Sequence, residues 1–372
     1  MAKFGVVFLF LVSAMPSHAG LQLSGKGLKI GNYPTGKLNN ISDVVGIKVG
    51  HSTVNKGNGK NAIRTGVTIL LPADDLWTRP VPAGVYTFNG VGEAAGFSIV
   101  KETGVLQTPI AMTNTLSVGD VQKALAQGIL AQHPEAESPV PLVMECDDSS
   151  LNNIHGFHVG KDNVQSAIRE ASANFAEGSV GAGTGMISFD FKSGIGSSSR
   201  IVTAEKKKYT IGILVNANIG TGTRHVFRFM GTSVGPMIKD LLPKEKAWSE
   251  RGTGSIVIAV ATDAPLDSRQ LERLGKRAMS GVFRLGTPGY SGSGDYVIAF
   301  STAYRIAQTG KSSTPRLCES CLNDFFEAVA DGTEEAVLAS LVNNQDMKGR
   351  DDNLVYALPF QRLKLPKALL AD

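Results

Sequence analysis

The stretch Gly254–Thr262, GSIVIAVAT, reads as a β-strand that is apolar on both faces beyond its opening Gly-Ser pair. A strand in a half-solvated sheet alternates polar and apolar residues, whereas a strand held between two layers does not. Two other stretches share the property, Tyr209–Ala217 (YTIGILVNA) and Tyr296–Phe300 (YVIAF). Such strands need a sheet covered on both sides. Leu266–Leu285 offers cover, since Leu271, Leu274, Ala278 and Val282 fall on one helical stripe. Working outward, Gly66–Leu71 and Gly84–Asn89 are strand candidates bounded by Gly, Pro and Asn. Ile41–Gly50 looks like a short strand entering a turn. Helical spacing predicts Val121–Gln132, capped by Asp120, and Val164–Phe175. It also predicts Asn323–Ala330 and Thr333–Val342, divided by Asp331-Gly332, with Thr333 as the second cap. Strands and helices come in groups rather than in strict alternation. The expected class is therefore α+β, layered, with sheets inside and helices outside.

The chain has 372 residues, a net charge of +4 and 42 glycines. The glycine content exceeds the usual value of roughly 7% and has no period, which points to many tight turns and close backbone approaches. Basic residues are scattered, and the one run, Lys206-Lys207-Lys208, reads as a solvated turn before a strand rather than a nucleic-acid surface. Residues 1–19 read as a secretory signal: Lys3, the apolar run Gly5–Ala14, then Ser17-His18-Ala19 before a cut. The run is too short to span a bilayer comfortably. The processed chain is expected in the periplasm or outside the cell, with no membrane association after signal removal. Cys318 and Cys321 form a CxxC. In an oxidising compartment the pair suits a local disulfide, and no further ligands stand nearby for zinc. Cys146 is left over and is expected to be buried.

The residues at Gly254–Ser255 allow one specific chemistry. A serine hydroxyl is a weak nucleophile without a base beside it. A serine at a chain N-terminus carries its own base, an α-amine with a reference pKa of roughly 8. Releasing that amine requires breaking the bond before it, and a glycine there permits a strained backbone and an accessible carbonyl. The plain alternative is a Gly-Ser turn opening a strand. Gly292-Ser293-Gly294-Asp295 precedes the strand at 296–300, and its Ser293 and Asp295 can hold an amine; the plain alternative is a capped turn. Asn218 ends the strand at 209–217, where a carboxamide can donate to an oxyanion. Glu145-Cys146-Asp147-Asp148 puts three carboxylates after a short apolar run. They suit a metal, the ammonium of a substrate, or simply solvent. Gly90-Val91-Gly92 misses the dinucleotide spacing, and neither a phosphate loop nor an HExxH occurs.

Taken together, these blocks resemble the L-aminopeptidase/D-amidase-esterase family, which includes the β-peptidyl aminopeptidases. The blocks run through nearly the whole chain: ISDVVGIKVGH (41–51), Thr113-Asn114-Thr115 with Ser117-Val118-Gly119, GAGTGM (181–186), FKSGIGSS (191–198), VNAN (215–218), GSIVIAVATDAPL (254–266), and GSGD (292–295) with AFST (299–302). The resemblance implies a four-layer αββα sandwich, similar to N-terminal-nucleophile hydrolases but differently connected. It implies self-cleavage between Gly254 and Ser255 into an alpha chain (20–254) and a beta chain (255–372), forming one structural domain. Ser255 is then nucleophile and its amine the base, Ser293 and Asp295 orient that amine, Asn218 donates to the oxyanion, and Glu145 binds the substrate's amino group. No metal or cofactor is implied; the partners are small peptide, amide or ester substrates, including β-peptides, and a homotetramer of cleaved protomers. The chain departs from some relatives in having Cys146, Asp147 and Asp148 where they carry a tyrosine near the acid. This leaves the second oxyanion donor open and offers Asp147 as an added charge in the amine pocket. Two other readings remain on the sequence: an acyltransferase of the ornithine acetyltransferase type, which uses threonine, and a periplasmic binding protein with an intact chain.

Overall fold

The structure, a computed structural model, describes residues 23, 28–244, 253–306 and 315–366. Residues 1–19, expected from the sequence to be a secretory signal, lie outside them, as do Arg251 and Gly252 just before the Gly-Ser pair.

Two sheets lie face to face between two pairs of helices. The first contains β1 (Lys48–Lys56), β2 (Ile63–Leu71), β4 (Ala94–Ala95), β6 (Ile110–Thr113) and β7 (Leu142–Glu145), in the order β1-β2-β6-β7-β4. The second contains β3 (Val81–Gly90), β5 (Val105–Leu106), β10 (Ile195–Ala204), β11 (Lys207–Asn218), β14 (Thr253–Thr262) and β15 (Gly292–Ser301), in the order β10-β11-β14-β15-β3-β5. Short ribbons β8 (Ile187–Ser188) with β9 (Phe191–Lys192), and β12 (Arg228–Phe229) with β13 (Thr232–Ser233), complete the strands used below. Each large sheet is antiparallel except for one parallel pair, β6/β7 in the first and β14/β15 in the second. Parallel partners need a crossover, and helices supply it: after the short α1 (Phe97–Thr103), α2 (Val118–Gln132) joins β6 to β7, and α4 (Ser268–Arg284) joins β14 to β15.

The three strands apolar on both faces are β11, β14 and β15. One face of β14 (Val257, Ala259, Ala261) packs between the sheets against residues such as Val49, Leu70 and Met112. Its other face (Ile256, Ile258, Val260) packs on α4 and α5 (Leu322–Val342). On the far side, Val67, Ile69, Ala111 and Val143 meet α2 and α3 (Lys161–Arg169). The layers therefore read α, β, β, α, as the resemblance implied.

Four local expectations needed correction. Ile41–Asp43 is a 3-10 turn, not a strand, because Asn40 accepts from the Ser42 amide at 2.8 Å and Asp43 from the Leu38 amide at 2.9 Å. These local bonds compete with strand pairing, and β1 begins only at Lys48. Asp120 does not cap α2; it lies in the first turn, because Asn114 caps a preceding 3-10 turn that runs directly into the helix. The helix expected over Val164–Phe175 ends at Arg169, since Ser172 leaves it to exchange two backbone hydrogen bonds with Val49. Finally, Asn323–Ala330 and Thr333–Val342 are one helix, α5. Gly332 does not break it: a Cβ there would stand 3.1 Å from Ile213 and 3.2 Å from Ser198, so the helix packs closely on the sheet and a side chain here would need those two to shift by a few tenths of an ångström. The Thr333 hydroxyl donates back to the Val329 carbonyl at 2.8 Å instead of capping.

The lysine run sits where expected. Glu205 and Lys206 form the tight β10–β11 turn with φ of 49° and 65°, and Lys206–Lys208 are exposed. Cys318 and Cys321 are bonded to each other, and Cys146 is free and buried. Among the described residues, the one group of three side chains within metal-coordinating reach is Glu205 with these two bonded cysteines.

Candidate active site

The ends of the two parallel pairs meet at one edge of the sandwich. β14 begins there, with Asn218 of β11 on one side of Ser255 and Gly294 of β15 on the other. Side chains alternate along a strand, so Ser255 shares the face of Val257 and opens into a cleft of about 470 Å³. Glu145, Asp147, Asn218, Gly254 and Ser255 all line it. The Ser255 hydroxyl donates to the Gly254 carbonyl oxygen at 2.6 Å and accepts from the Gly294 amide at 3.3 Å. The serine thus touches the carbonyl of the bond that precedes it.

Gly254 is there for space rather than for an unusual backbone angle. Its φ is not positive, contrary to the strained conformation expected from sequence. A Cβ at this position would lie 2.7 Å from both C and O of Ile219 and 2.9 Å from the Asn218 carbonyl oxygen. All three are backbone atoms, so no side chain can move aside.

Glu145 ends β7 and is 2% exposed. Its carboxylate accepts from the Glu93 amide at 3.0 Å and from the Thr115 hydroxyl at 2.5 Å. Burial pushes its pKa above the ordinary carboxylate value, against the opposing pull of these two donors. Gly92 makes room for it, since a Cβ there would stand 2.3 Å from Oε1. Asn218 is held at both ends. Its Oδ1 accepts from the Ile187 amide at 2.9 Å, and its Nδ2 donates to the Asp147 carbonyl at 2.8 Å. The first bond fixes which end of the carboxamide is the donor, and a carboxamide nitrogen has a second proton to give. Asp147 is exposed at the cleft margin, with its carboxylate accepting from the Ser149 amide at 2.6 Å.

Ser293 and Asp295 do not share the cleft. They pair with Gly254 and Ile256 and so lie on the helix side of the sheet, beside a small cavity with Met279 and Val282. The Ser293 hydroxyl donates to Asp295 Oδ1 at 2.5 Å, Asn89 Nδ2 donates to Oδ2 at 2.9 Å, and the Ile256 amide also donates to this carboxylate. Burial raises the Asp295 pKa above its ordinary value while these bonds oppose it. Asn89 is the strand partner of Asp295, next to a bulge between β3 and β15.

Sequence reasoning assigned no role to Thr115, Asn89, the Glu93 amide or the Ile187 amide. Thr115 stands 30 residues from Glu145, and Asn89 206 residues from Asp295. Spacing carries no signal at such separations. Thr115 did fall within a block that carried the family resemblance, but without a role.

No imidazole lines the cleft among the described residues. A serine at the head of a central strand, served by neighbouring strands of a layered sandwich, is the arrangement of the serine aminopeptidase class rather than of serine–histidine–acid hydrolases. The profile of Peptidase family S58 matches residues 39–355, and the chain belongs to that family. It is similar to the beta-peptidyl aminopeptidase BapA of Sphingosinicella xenopeptidilytica, 37% identical over 373 residues, covering 95% of this chain and 92% of that one. Among solved structures it resembles the PH0078 protein from Pyrococcus horikoshii OT3, with 43% identity, a TM-score of 0.85, and 91% and 96% of the two chains covered. It also resembles the L-aminopeptidase D-Ala-esterase/amidase of Ochrobactrum anthropi, with 34% identity, a TM-score of 0.84, and 92% and 96% covered. That enzyme is described as a prototype for the serine aminopeptidases and a new variant of the Ntn hydrolase fold. The protein is a serine peptidase with aminopeptidase or amidase function.

Proposed function

We propose that this is an exported, self-cleaving aminopeptidase whose nucleophile is Ser255. The observation that carries the proposal is the 2.6 Å contact between the Ser255 hydroxyl and the Gly254 carbonyl oxygen, inside a cleft that also holds the buried Glu145. The hydroxyl oxygen attacks the Gly254 carbonyl carbon. Collapse of the intermediate breaks the Gly254–Ser255 C–N bond and leaves Gly254 as an ester on Ser255, with the nitrogen protonated as a new α-amine. Water then hydrolyses the ester, giving a Gly254 carboxylate and a free Ser255 hydroxyl. In the processed enzyme the α-amine takes the hydroxyl proton as the serine attacks a substrate carbonyl. The acyl-enzyme is released by water.

Each neighbour takes a role its position supports. Asn218, the strand partner of Ser255 in the same cleft, donates the second proton of its Nδ2 to the developing oxyanion. Glu145 pairs with the substrate's ammonium, and Asp147 adds negative charge at the same mouth. Ser293 and Asp295 approach from the helix side. The strand nitrogen lies between the two faces, so they can orient the amine without obstructing the hydroxyl's face. The substrates are small peptides, amides and esters with a free amino end. β-peptides are included on the similarity to a β-peptidyl aminopeptidase. Residues 1–19 direct export to the periplasm, and the cleaved protomers, 20–254 with 255–372, assemble as a tetramer without metal or cofactor.

A denaturing gel with N-terminal sequencing tests the central step. The expected result is two fragments, the second beginning Ser-Ile-Val-Ile, and a Ser255→Ala variant that folds, stays uncut and is inactive. A fully active protein that remains one chain, or cut and active Ser255→Ala protein, would overturn the mechanism.

A further inference from the structure

We infer that Lys192 is a positioning residue for the reaction: its ammonium holds the Met186–Ile187 peptide unit, and that unit holds the Asn218 carboxamide. The inference rests on the reading of Asn218 as the oxyanion donor.

Lys192 ends the small β8–β9 ribbon and is fully buried. An isolated buried ammonium is costly unless hydrogen bonds or a counter-charge compensate it. No carboxylate pairs with it among the described residues, and burial pulls its pKa well below the ordinary lysine value, so the protonated form depends on its hydrogen-bond acceptors. Instead its Nζ donates to three backbone carbonyls: Met186 at 2.9 Å, Gly183 at 3.2 Å and Ser193 at 2.5 Å. These use every proton an ammonium has. The acceptors belong to the glycine-rich turn at 181–186 and to the residue after Lys192. The turn is not remote from the chemistry, because Gly185 and Ile187 form part of the cleft wall.

The connection to Asn218 runs through a single peptide group. The Met186 carbonyl oxygen accepts from Lys192 Nζ and from the Ser193 amide at 3.0 Å. The N–H at the other end of that group, on Ile187, donates to Asn218 Oδ1 at 2.9 Å. A positive charge on the carbonyl end polarises the group and strengthens its N–H as a donor. It also fixes the plane of the group, and with it the orientation that turns Asn218 Nδ2 toward Asp147 and the cleft. The next peptide group is tied to the end of β11 as well, its Ile187 carbonyl accepting from the Gly220 amide at 2.9 Å. A lysine that merely filled core space would not need its charge, and a methionine of similar length would replace it without kinetic effect.

The test is a double-mutant cycle on the full protein with Lys192→Met, Asn218→Ala and the double variant. A small alanyl anilide serves as substrate, with rates normalised to the fragment that begins at Ser255. Asn218→Ala is expected to lower kcat by about a hundredfold or more, as for other oxyanion donors. Lys192→Met should lower kcat by about tenfold to a hundredfold, the range for loss of hydrogen bonds to a charge, with KM unchanged. The double variant should be no slower than Asn218→Ala alone. If Asn218→Ala keeps wild-type kcat, the oxyanion reading itself fails and the inference with it. If Asn218→Ala is slow but Lys192→Met is not, or the two losses multiply in the double variant, the inference is overturned while the oxyanion reading stands. Should Lys192→Met fail to fold, Lys192→Gln, which keeps two N–H donors without charge, is expected to show the same kcat-only loss at smaller amplitude. Wild-type kcat in folded Lys192→Gln protein overturns the proposal.

Discussion

Replacing Glu145 by glutamine separates substrate recognition from bond-breaking. The structure says why the substitution is tolerated. Oε1 faces an obligate donor, the Glu93 amide, and Oε2 faces the Thr115 hydroxyl, which can reverse its proton. A glutamine keeps its oxygen toward Glu93 and turns its NH2 toward Thr115, so both contacts survive. What it loses is the negative charge. A hydrogen bond to a charged partner contributes about 2 kcal/mol, so kcat/KM toward a substrate with a free amine should fall about 30-fold. The proposed self-cleavage involves no ammonium, so the two fragments should form in the variant as in the wild type. A substrate whose amine is acylated should be turned over equally slowly by both proteins. Since burial raises the Glu145 pKa and binding needs the carboxylate, wild-type kcat/KM should fall at a higher pH on the acid side than an exposed carboxylate would give. The glutamine variant should lose that limb. The assay is steady-state hydrolysis of paired free and N-acylated anilides across acidic pH, with a gel to measure processing. Unchanged kcat/KM for the free amine, or an equal loss on the blocked substrate, would refute the assignment of Glu145 to the ammonium.

Two further outcomes are expected. Gly254→Ala forces β14 away from backbone atoms of Asn218 and Ile219 that its Cβ would approach to within 2.7–2.9 Å; overpacking of this kind costs about 1–3 kcal/mol, and even a small misplacement of the scissile carbonyl should slow cleavage about tenfold, measurable as persistence of the uncut band over time. Asp148 is fully buried, and burial raises its pKa from 3.8 to about 7. The native state holds that proton where the unfolded chain has released it, so stability falls as pH rises between about 4 and 7, by roughly 4 kcal/mol for this group. Denaturant titrations across that range should show the slope, and Asp148→Asn should flatten it; an unchanged slope would remove Asp148 as its source.

The strands at 209–217, 254–262 and 296–300 were legible because each must be apolar on both faces to lie between a second sheet and a helix layer, and no solvent-facing segment has reason to look that way. The stripe Leu271, Leu274, Ala278 and Val282 announced α4 for the same reason. Legibility failed where a side chain or a close approach, rather than periodicity, set the backbone. Gly332 looked like a break and is a contact with the sheet; Asn40 and Asp43 turned an expected strand into a 3-10 turn.

At the site the division is sharper. From the sequence alone came the residue types at 145, 147, 218, 254, 255, 293 and 295, and, through the order of their blocks, the family. Sequence order could not say that Ser293 and Asp295 stand behind the strand while Asn218 and Ser255 open on its other face toward Glu145 of the facing sheet, because that depends on the parallel register between β14 and β15 and on how the two sheets stack. Nor could it pair Thr115 with Glu145, Asn89 with Asp295, or Lys192 with the peptide that holds Asn218. Those pairings belong to chain segments brought together only when two sheets close on a common core, and the hydrogen bonds that define the cleft exist only after that closure.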